Sequence, residues 1–375
     1  MKYFLVAGAR PNFMKIAPIY RAFSCSSEFR PANLIFVHTG QHHGPNMSDN
    51  LLHDLGLPQP AFNLEVGSCS HAQQTARIML AFEPLCLQHR PDCVIVVGDV
   101  NSTLACALAA RKLGIAVAHV EAGLRSHDMS MPEEINRLCT DAISDWLFAT
   151  DAMAVENLRR EGVPGDRIHL VGNTMVDTLR QQIGRARQSP LPDGLAPGRY
   201  AVLTLHRPAN VDAPDRLARI LGAINAIAER IPVIFPVHPR TAPSLRGIEL
   251  HPRLRTLEPL SYLPFLGLVA RARMVLTDSG GIQDETTVLG VPCLTLRPNT
   301  ERPITCEIGT NSLVGTDPRR IVKEARKILD GNTRRGAIPD KWDGRAAERI
   351  VRLLNQSAAG DAGCAAKKDT RLACA

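Results

Sequence analysis

The stretch Val275-Leu276-Thr277-Asp278-Ser279-Gly280-Gly281-Ile282-Gln283 opens a segment, from Val275 to Pro303, that decides the fold of this chain. An apolar run ends at Thr277, an amphipathic stretch spans 282–289, and a second apolar run covers 293–296. Short apolar runs bounded by glycine turns are typical of strands, and the amphipathic stretch between them is typical of a helix. The segment therefore predicts one strand–turn–helix–strand unit.

The turn inside this unit is a candidate anion site. Ser279-Gly280-Gly281 leaves bare backbone N–H groups at the start of a helix, where a phosphate or diphosphate is stabilised. Two glycines alone are also typical of an ordinary strand-to-helix turn, in which glycine relieves crowding. Glu285 lies one turn into the helix, and Arg302 follows the next strand within Thr300-Glu301-Arg302-Pro303. Both can face the same crevice, which favours a nucleotide site.

Length and charge narrow the class of protein. The chain has 375 residues, 45% of them hydrophobic, and one core rarely serves so long a chain, so we expect two domains of about 150–200 residues. The net charge of +7 is spread along the chain without a long basic run. This argues against a nucleic-acid partner and suits a small acidic substrate.

Cysteine and histidine usage indicates neither a metal nor a cofactor. The ten cysteines form no CxxC pair, and most lie in apolar runs, which is typical of reduced thiols in a cytoplasmic protein. His42 and His43 are adjacent but have no third ligand at helical spacing, so we expect no metal. The sequence has no apolar signal region and no run of about 20 apolar residues, so we expect no membrane insertion.

Two bases follow the first predicted strand. The apolar run 3–7 leads through Gly8-Ala9-Arg10-Pro11 into a helix that carries Lys15. Arginine and lysine at the start of a helix after a glycine turn suit a diphosphate. Isolated bases are more often simply solvated, and the residues alone leave both interpretations open.

Carboxylates end two further predicted strands. The run 93–97 is followed by Asp99 and the run 115–120 by Glu121, so both acids lie at the strand edge where α/β folds place their chemistry. Asp99 suits a cap of the next helix equally well. A second acid at a second strand edge favours a catalytic group, because two such caps rarely bring acids together.

Two more acids open the next helix. Pro132-Glu133-Glu134-Ile135-Asn136-Arg137 begins an amphipathic segment, with both glutamates in its first turn. Acids at this position complement the positive end of the helix dipole. We expect this role of one of the two glutamates.

Histidines end two strands of the second half. The run 200–205 is followed by His206-Arg207, and the run 233–237 by His238. A His–Arg pair at a strand end suits a diphosphate leaving group, with the histidine as proton donor or charge partner. A histidine that stood alone would more often be satisfied within the core.

Strands and helices alternate through both halves, which predicts the α/β class with two doubly wound, Rossmann-like parallel-sheet domains facing a cleft. We place the N-terminal domain at 1–172 and the C-terminal domain at 173–344. The proline- and glycine-rich segment 188–198 is interpreted as an interdomain linker, and 357–375 as a disordered tail.

Thr277-Asp278-Ser279-Gly280-Gly281-Ile282-Gln283, with Thr300-Glu301-Arg302-Pro303, resembles the non-hydrolysing bacterial branch of the UDP-N-acetylglucosamine 2-epimerase family. Further motifs from Gly8 to Arg302 follow in the order of that family, apart from the tail. The resemblance implies the GT-B arrangement, a UDP-sugar substrate and a homodimer. It also implies that a final helix, 345–356, packs back on the first domain.

The resemblance assigns roles residue by residue. It implies that Asp99, Glu121 and Glu133 are catalytic carboxylates, and His206 is expected to assist the departure of UDP. It also implies that Arg10 and Lys15 contact the nucleotide sugar. The predicted substrate-binding residues are Arg10, Lys15, His238, Phe265, Ser279, Gly280, Gly281, Glu285 and Arg302. Phe265 matches an aromatic residue that stacks near the uracil, although a core position explains it equally simply.

The chain also departs from the family pattern. Ala209 stands where the family usually has a glutamate, and Leu260 where some relatives have a glutamine that bonds the base. The loop His43-Gly44-Pro45-Asn46 differs from that of members activated by their substrate, which argues against that regulatory site.

The implied activity is C2 epimerisation of UDP-N-acetylglucosamine to UDP-N-acetylmannosamine by elimination and re-addition of UDP, feeding surface polysaccharide synthesis. This route needs a carboxylate base, a second proton source on the other face of the sugar, and stabilisation of the leaving diphosphate. Alternatives are a hydrolysing epimerase, a C2 epimerase of another UDP-2-acetamido sugar, a GT-B glycosyltransferase and a non-catalytic UDP-sugar sensor. A sensor would be expected to have lost a predicted catalytic residue, and none is lost here.

Overall fold

The computed structural model describes residues 1–25, 33–40 and 51–356 of the chain. The expectations about the adjacent histidines, the loop that follows them and the tail 357–375 lie outside the described residues.

The chain forms two compact units. Of the described residues, the first unit comprises those within 1–124, 128–178 and 341–356, and the second comprises 125–127 and 179–340. The division between 178 and 179 lies inside a helix, Thr174–Gln188, and the segment 188–198 belongs to the second unit. A continuous helix therefore carries the chain from one unit to the other.

The first unit is built on a parallel sheet of seven strands within the described residues. These strands are β1 Tyr3–Ala7, β2 Leu34–His38, β3 Phe62–Asn63, β4 Cys93–Val97, β5 Ala116–Ala122, β6 Trp146–Ala149 and β7 Ile168–Leu170. Their order is β3-β2-β1-β4-β5-β6-β7, and every neighbouring pair is parallel.

Helices connect these strands, as parallel pairing requires. They are α1 Arg10–Ser24, α2 described over 51–55, α3 His71–His89, α4 Asn101–Lys112, α5 Pro132–Ile143, α6 Ala152–Arg160 and α7 Thr174–Gln188. A 3-10 turn, Gly165–Arg167, precedes β7.

The second unit repeats the plan with six described parallel strands. They are β8 Ala201–Thr204, β9 Val233–Pro236, β10 Leu254–Leu257, β11 Met274–Thr277, β12 Cys293–Thr295 and β13 Asn311–Leu313, in the order β10-β9-β8-β11-β12-β13. The helices are α8 Pro208–Val211, α9 Pro214–Ala228, α10 Tyr262–Ala270, α11 Gly280–Leu289, α12 Pro303–Glu307 and α13 Pro318–Leu329, and a 3-10 turn spans Ala242–Leu245.

The central strands are apolar because both faces of each sheet are covered. Every residue of β1, β4 and β11 is buried. In β8, Val202 packs in one core cluster and Leu203 in another, as expected for side chains that alternate between the faces of a strand. None of the described helices combines the length and apolar character that crossing a bilayer requires.

The C-terminal helix, 346–356, packs within the first unit. Asp177 of α7 accepts hydrogen bonds from the backbone N–H groups of Ala346 (3.1 Å) and Ala347 (2.8 Å) at its start. The Trp342 indole donates to the Thr150 carbonyl at 3.0 Å. Burial raises the pKa of Asp177 to about 6.

Both sheets confirm the predicted doubly wound class. The strand order reverses between β1 and β4 in the first unit and between β8 and β11 in the second. In open α/β sheets, ligands bind outside the carboxyl ends of the strands at such a switch point. Each unit therefore has one edge at which its polar residues are expected to act.

Candidate active site

In the first unit, Lys15 and Glu121 form a buried ion pair. Lys15 comes from α1, which starts directly after β1, and Glu121 lies near the end of β5. Their side chains are only 8% and 5% exposed, and the Lys15 ammonium contacts Oε2 of Glu121. A buried charge is tolerated when it is paired, so each group offsets the cost of burying the other.

The backbone of Glu121 is held in an unusual conformation. Its φ is +74°, in the left-handed region, and the pairing of β5 with β6 shifts register between Val120 and Ala122. A residue with a Cβ pays roughly 1–2 kcal/mol to adopt this conformation. Such outliers cluster at functional sites, where the surrounding structure imposes them. The bulge turns the Glu121 carboxylate towards Lys15.

Gly98 lets the backbone after β4 pass close to this pair. Its φ is +69°, and a Cβ at this position would lie 2.5 Å from Nζ of Lys15 and 3.4 Å from Oε2 of Glu121. Any side chain here would displace the ion pair. Glycine is therefore required by both the φ angle and the close approach.

Asp99, the next residue, is joined to α5 by Arg137. Nη1 of Arg137 lies 2.5 Å from Oδ2 of Asp99, while its Nη2 lies 2.5 Å from Oε2 of Glu134. The Asp99 side chain is 28% exposed, whereas those of Arg137 and Glu134 are 2% and 1% exposed. The Asn136 side chain also donates to the Asp99 carbonyl at 2.9 Å. Asp99 is thus oriented by α5 yet open to a reactant.

Glu133 and Glu134 differ although both lie in the first turn of α5. Glu134 is buried and bound by Arg137, whereas Glu133 is half-buried. The sequence predicted that one of the two glutamates complements the helix dipole. Glu134 does more than this, because it forms a specific ion pair with Arg137. Arg10, at the start of α1, is also half-buried, and burial lowers the pKa of its guanidinium.

In the second unit, Asp278 organises the edge between β8 and β11. It is fully buried, and its carboxylate accepts from the backbone N–H groups of His206 (3.1 Å) and Arg207 (3.0 Å) and from the Asn210 side chain (3.1 Å). Nδ1 of His206 also lies 3.0 Å from Oδ1 of Asp278. Burial alone would raise the pKa of Asp278, but the hydrogen bond and charge of His206 outweigh it and hold that pKa below its usual range.

The two predicted histidines lie near each other. The ring centroids of His206 and His238 are 5.6 Å apart, and the His206 side chain is 37% exposed. His238 is exposed, and its Nδ1 accepts from the backbone N–H of Arg240 at 3.1 Å. The second unit thus brings these strand ends together as the switch point predicts.

The glycine turn opens α11 as the sequence predicts. Ser279 is the N-cap residue, its side chain makes no capping hydrogen bond, and α11 begins at Gly280. A Cβ on Gly280 would lie 2.2 Å from Oε1 of Glu301. Glu301 is itself buried and pairs with Arg297 at 2.9 Å. Free N–H groups at a helix start beside arginine side chains suit an anion.

Glu285, on α11, and Arg302, which pairs with a residue of that helix, are both buried. Glu285 accepts a hydrogen bond from the Tyr262 hydroxyl at 3.2 Å, and burial raises its pKa to about 7. Arg302 pairs with Asp284 at 2.8 Å and lies 3.7 Å from the Glu301 carboxylate. The two acidic side chains of α11, Asp284 and Glu285, are therefore buried, and each contacts a partner.

Phe265 lies on α10, where it packs against the core cluster that includes Val202 and Leu268. This contact agrees with the simpler interpretation, in which Phe265 is a core residue. Its stacking near the uracil stays a prediction. Among the described residues, no group of three or more histidine, cysteine, aspartate or glutamate side chains could hold a metal ion.

A family model described as UDP-N-acetylglucosamine 2-epimerase matches residues 27–355. The chain belongs to this family. It is 42% identical to the UDP-N-acetylglucosamine 2-epimerase of Methanocaldococcus jannaschii over 367 residues, which are 94% of this chain and 99% of the relative. The family inferred from the sequence is confirmed, and so is the epimerase class of enzyme, while the non-hydrolysing branch stays a prediction.

Two further proteins are similar to this chain over most of its length. The UDP-2,3-diacetamido-2,3-dideoxy-D-glucuronate 2-epimerase of Pseudomonas aeruginosa is 40% identical over 360 residues, 94% of this chain and 99% of the relative. A crystal structure of the M. jannaschii UDP-GlcNAc 2-epimerase with UDP-GlcNAc and UDP has a TM-score of 0.86 and 41% identity, and the match covers 95% of this chain and 100% of that one. Together with the two parallel sheets, this match confirms the predicted GT-B class.

Sequence reasoning missed three residues of these candidate sites. Arg137 is three residues after Glu134, a spacing that predicts a contact on one helix face but not the second contact with Asp99. Asp278 lies at a strand edge, as Asp99 does, and this position is the sequence signal by which it could have been found. Tyr262 has no sequence signal that links it to Glu285.

Proposed function

We propose that the chain interconverts UDP-N-acetylglucosamine and UDP-N-acetylmannosamine without hydrolysis. Family membership supports the epimerase, and one observation carries the mechanism. The first unit holds Asp99 and Glu121 at neighbouring strand edges, each against its own cation, Arg137 and Lys15. A two-step proton transfer at a single carbon requires one group that takes a proton and a second group that gives one, and these two carboxyl groups lie at neighbouring strand edges.

The proton at C2 of the sugar is barely acidic because it is not next to a carbonyl. In the proposed first step a base takes this proton, the C2–H electrons form a C1–C2 double bond, and the C1–O bond breaks with its electron pair leaving on UDP. In the second step, a proton is added to C2 from the opposite face while a UDP oxygen attacks C1. The net result is inversion at C2 with no oxidant and no water consumed.

We assign the proton transfers to Asp99, Glu121 and Glu133. Asp99 is oriented by Arg137 and partly exposed, which suits a group that exchanges protons with a substrate. Glu121 is strained and paired with Lys15, which fixes the position of this second carboxyl group near the end of β5. Preorganised charges of this kind stabilise a transition state without reorganisation during the reaction.

We assign binding and departure of UDP chiefly to the second unit. The start of α11 at Ser279-Gly280-Gly281 offers N–H groups to the diphosphate, and His206, fixed by Asp278, assists its departure. The remaining proposed substrate contacts are Arg10, Lys15, His238, Phe265, Glu285 and Arg302. An anion that leaves a carbon needs such cationic and N–H stabilisation.

A second candidate substrate is another UDP-2-acetamido sugar. The Pseudomonas aeruginosa relative, 40% identical, is named for a diacetamido glucuronate sugar, which carries changes at C3 and C6. The proposed chemistry takes place at C1 and C2, so it is the same for both sugars. Substitutions remote from these carbons alter binding and leave the proton transfers unchanged.

The test is proton NMR of the purified protein with UDP-N-acetylglucosamine in heavy water. We expect UDP-N-acetylmannosamine to appear with deuterium at C2, and Glu156→Gln, which alters an exposed pair with Arg160, to behave like the unmodified protein. Free N-acetylmannosamine with accumulating UDP would show that the chain hydrolyses the UDP-sugar, and the proposal would then be wrong. No exchange with this sugar, but exchange with the diacetamido sugar, would establish the second candidate.

A homodimer, a cytoplasmic location and a role in surface polysaccharide synthesis complete the proposal, on the strength of the family resemblance. Sedimentation of the purified chain tests the assembly, and a monomer at every concentration would exclude the dimer. Fractionation of cells tests the location. Loss of N-acetylmannosamine from the cell surface when the gene is deleted tests the role.

A further inference from the structure

His119 is a fully buried histidine that takes no part in the proposed proton transfers. It lies on β5 next to Val120, is 0% exposed, and shares the first unit with Asp99 and Glu121. Its Nδ1 lies 2.6 Å from Oδ1 of Asp141 on α5, and its Nε2 lies 2.8 Å from the Gly98 carbonyl. Each ring nitrogen therefore contacts an acceptor.

These two contacts restrict the protonation of the ring. A neutral imidazole carries one N–H group and one lone pair, so it can donate to only one acceptor. A backbone carbonyl accepts and never donates, and the second oxygen of Asp141 already accepts from the Gly123 N–H at 3.0 Å. Nε2 of His119 must therefore carry the proton that it donates to Gly98, and a second proton lies between Nδ1 and Asp141, so both hydrogen bonds form together.

His119 contacts the backbone segment that lies between the two predicted catalytic carboxylates, Asp99 and Glu121. The Gly98 carbonyl precedes Asp99 in the chain, and the Gly98 N–H donates to the Val120 carbonyl, next to Glu121, at 3.0 Å. The backbone of Gly98 is thereby tied on both sides to β5. A shift of this segment would move the Asp99 carboxylate relative to Glu121.

The partner helix reinforces the same segment. Glu134, Arg137 and Asp141 recur at three- and four-residue intervals, so they lie on one face of α5. From this face Arg137 holds the Asp99 carboxylate and Asp141 holds His119. α5 therefore fixes Asp99 by its side chain and, through His119, by the backbone before it.

We infer that His119 is a positioning residue, held by Asp141, whose Nε2–H fixes the Gly98–Asp99 segment for the proposed reaction. This inference rests on the proposed function for its effect on turnover, and on geometry alone for the hydrogen bond from Nε2 to Gly98. Since His119 touches neither substrate nor any reacting atom, its effect is on the placement of Asp99.

The hydrogen bond is tested by nitrogen NMR of the free, unmodified protein with labelled histidine. We expect Nε2 of His119 to carry a proton that it donates to the Gly98 carbonyl, and a signal lost in His119→Asn identifies it. An unprotonated Nε2 would overturn the proposed contact. Because no substrate is present, this result is independent of whether the chain is an epimerase.

The positioning role is tested by two substitutions that each keep one contact. The amide of His119→Gln reaches to the level of Nε2 and can still donate to Gly98, whereas that of His119→Asn reaches only to the level of Nδ1 and Asp141. We expect kcat to fall about 10- to 100-fold in His119→Asn and clearly less in His119→Gln, with KM changed less than about threefold in both.

His169 provides the matched control. It is a part-buried histidine on β7 of the same sheet, and its Nε2 has no hydrogen-bond partner among the described residues. We expect His169→Asn to leave kcat within about twofold of the unmodified protein. An unchanged kcat in His119→Asn, an equal loss in both His119 variants, or a loss confined to KM would overturn the positioning role.

Discussion

Asp99 and Asp278 follow the corresponding strands of the two sheets, β4 and β11, but their surroundings differ. Asp278 is fully buried and accepts from two backbone N–H groups and a side-chain amide across the switch point. In the first unit a neutral residue bridges the switch point instead, since Asn12 accepts from the Ala9 N–H at 2.9 Å and donates to the Val97 carbonyl at 3.1 Å. Asp99 is left partly exposed and oriented by Arg137.

The comparison shows that the position of an aspartate at a strand edge does not decide its role. The role depends on its hydrogen-bond and ion-pair partners. A carboxylate whose oxygens are used by buried donors stabilises the fold. A carboxylate held by one cation, with an oxygen open to solvent, can exchange protons. The first unit thus presents acids at its edge, whereas the second presents N–H groups and a histidine.

The sharpest test of this comparison is Asp99→Asn. The amide can still accept from Arg137 but cannot take a proton, so we expect kcat for C2 exchange to fall about 10²- to 10⁴-fold while the urea midpoint changes little. Deuterium incorporation at C2 and urea unfolding measure the two quantities. Turnover within about threefold of the unmodified protein would remove Asp99 from the proposed mechanism.

A loss of stability is expected for Asp278→Ala. Its removal leaves the N–H groups of His206 and Arg207 and the Asn210 amide without their acceptor, which costs roughly 1–3 kcal/mol of unfolding free energy for each donor that water does not reach. Urea denaturation measures the loss. Asp330→Ala, which removes an exposed pair with Arg230, is the control and should cost at most about 1 kcal/mol. Equal losses in both variants would contradict the structural role of Asp278.

The pH dependence of unfolding separates Asp278 from Glu285 within the second unit. The folded-state pKa of Asp278 is lowered, so its stabilisation is present above its usual value of 3.8 and is lost as the pH falls through the lower, folded value. The pKa of Glu285 is raised from 4.5 to about 7, so its stabilisation is present below 4.5 and is lost as the pH rises through 7.

Glu285→Gln should remove the second effect. The neutral amide never ionises, so we expect the variant to gain on the order of 1–3 kcal/mol relative to the unmodified protein between pH 5 and pH 8. Urea unfolding across this range measures the difference, and Tyr262→Phe, which removes the hydroxyl that donates to Glu285, should steepen the dependence instead. A pH-independent difference between Glu285→Gln and the unmodified protein would contradict the raised pKa.

The smallest effect is expected for Gly280→Ala at the start of α11. The new Cβ would lie 2.2 Å from Oε1 of Glu301, so this buried carboxylate must shift away from Arg297. We expect UDP to bind about tenfold more weakly, which titration calorimetry measures, because about 1.4 kcal/mol corresponds to a factor of ten.

Gly222→Ala is the matched control for this substitution. Gly222 lies inside α9, and its added Cβ would meet no atom within 4 Å. Alanine in a helix interior is about 0.5–1 kcal/mol more favourable than glycine, so this variant should be more stable and bind UDP unchanged. Equal UDP affinity in both glycine variants would mean that the crowding at Gly280 does not matter for binding.

Much of the fold was predictable because its signals are local. The buried parallel strands β1, β4 and β11 are unbroken apolar runs, and glycine turns separate them from their helices. The division of the chain into units was not signalled in this way. It lies inside α7, and a continuous helix shows no change of composition at the residue where one unit ends and the other begins.

The sequence by itself determined which residues stand at the strand edges, because a strand that is apolar along its length must end where polar residues begin. Only the tertiary structure decided their partners. The contact between Arg137 and Asp99 spans 38 residues, and the left-handed φ of Glu121 follows from the bulge between β5 and β6. Strand order and register set these distances, and no local pattern of residues records them.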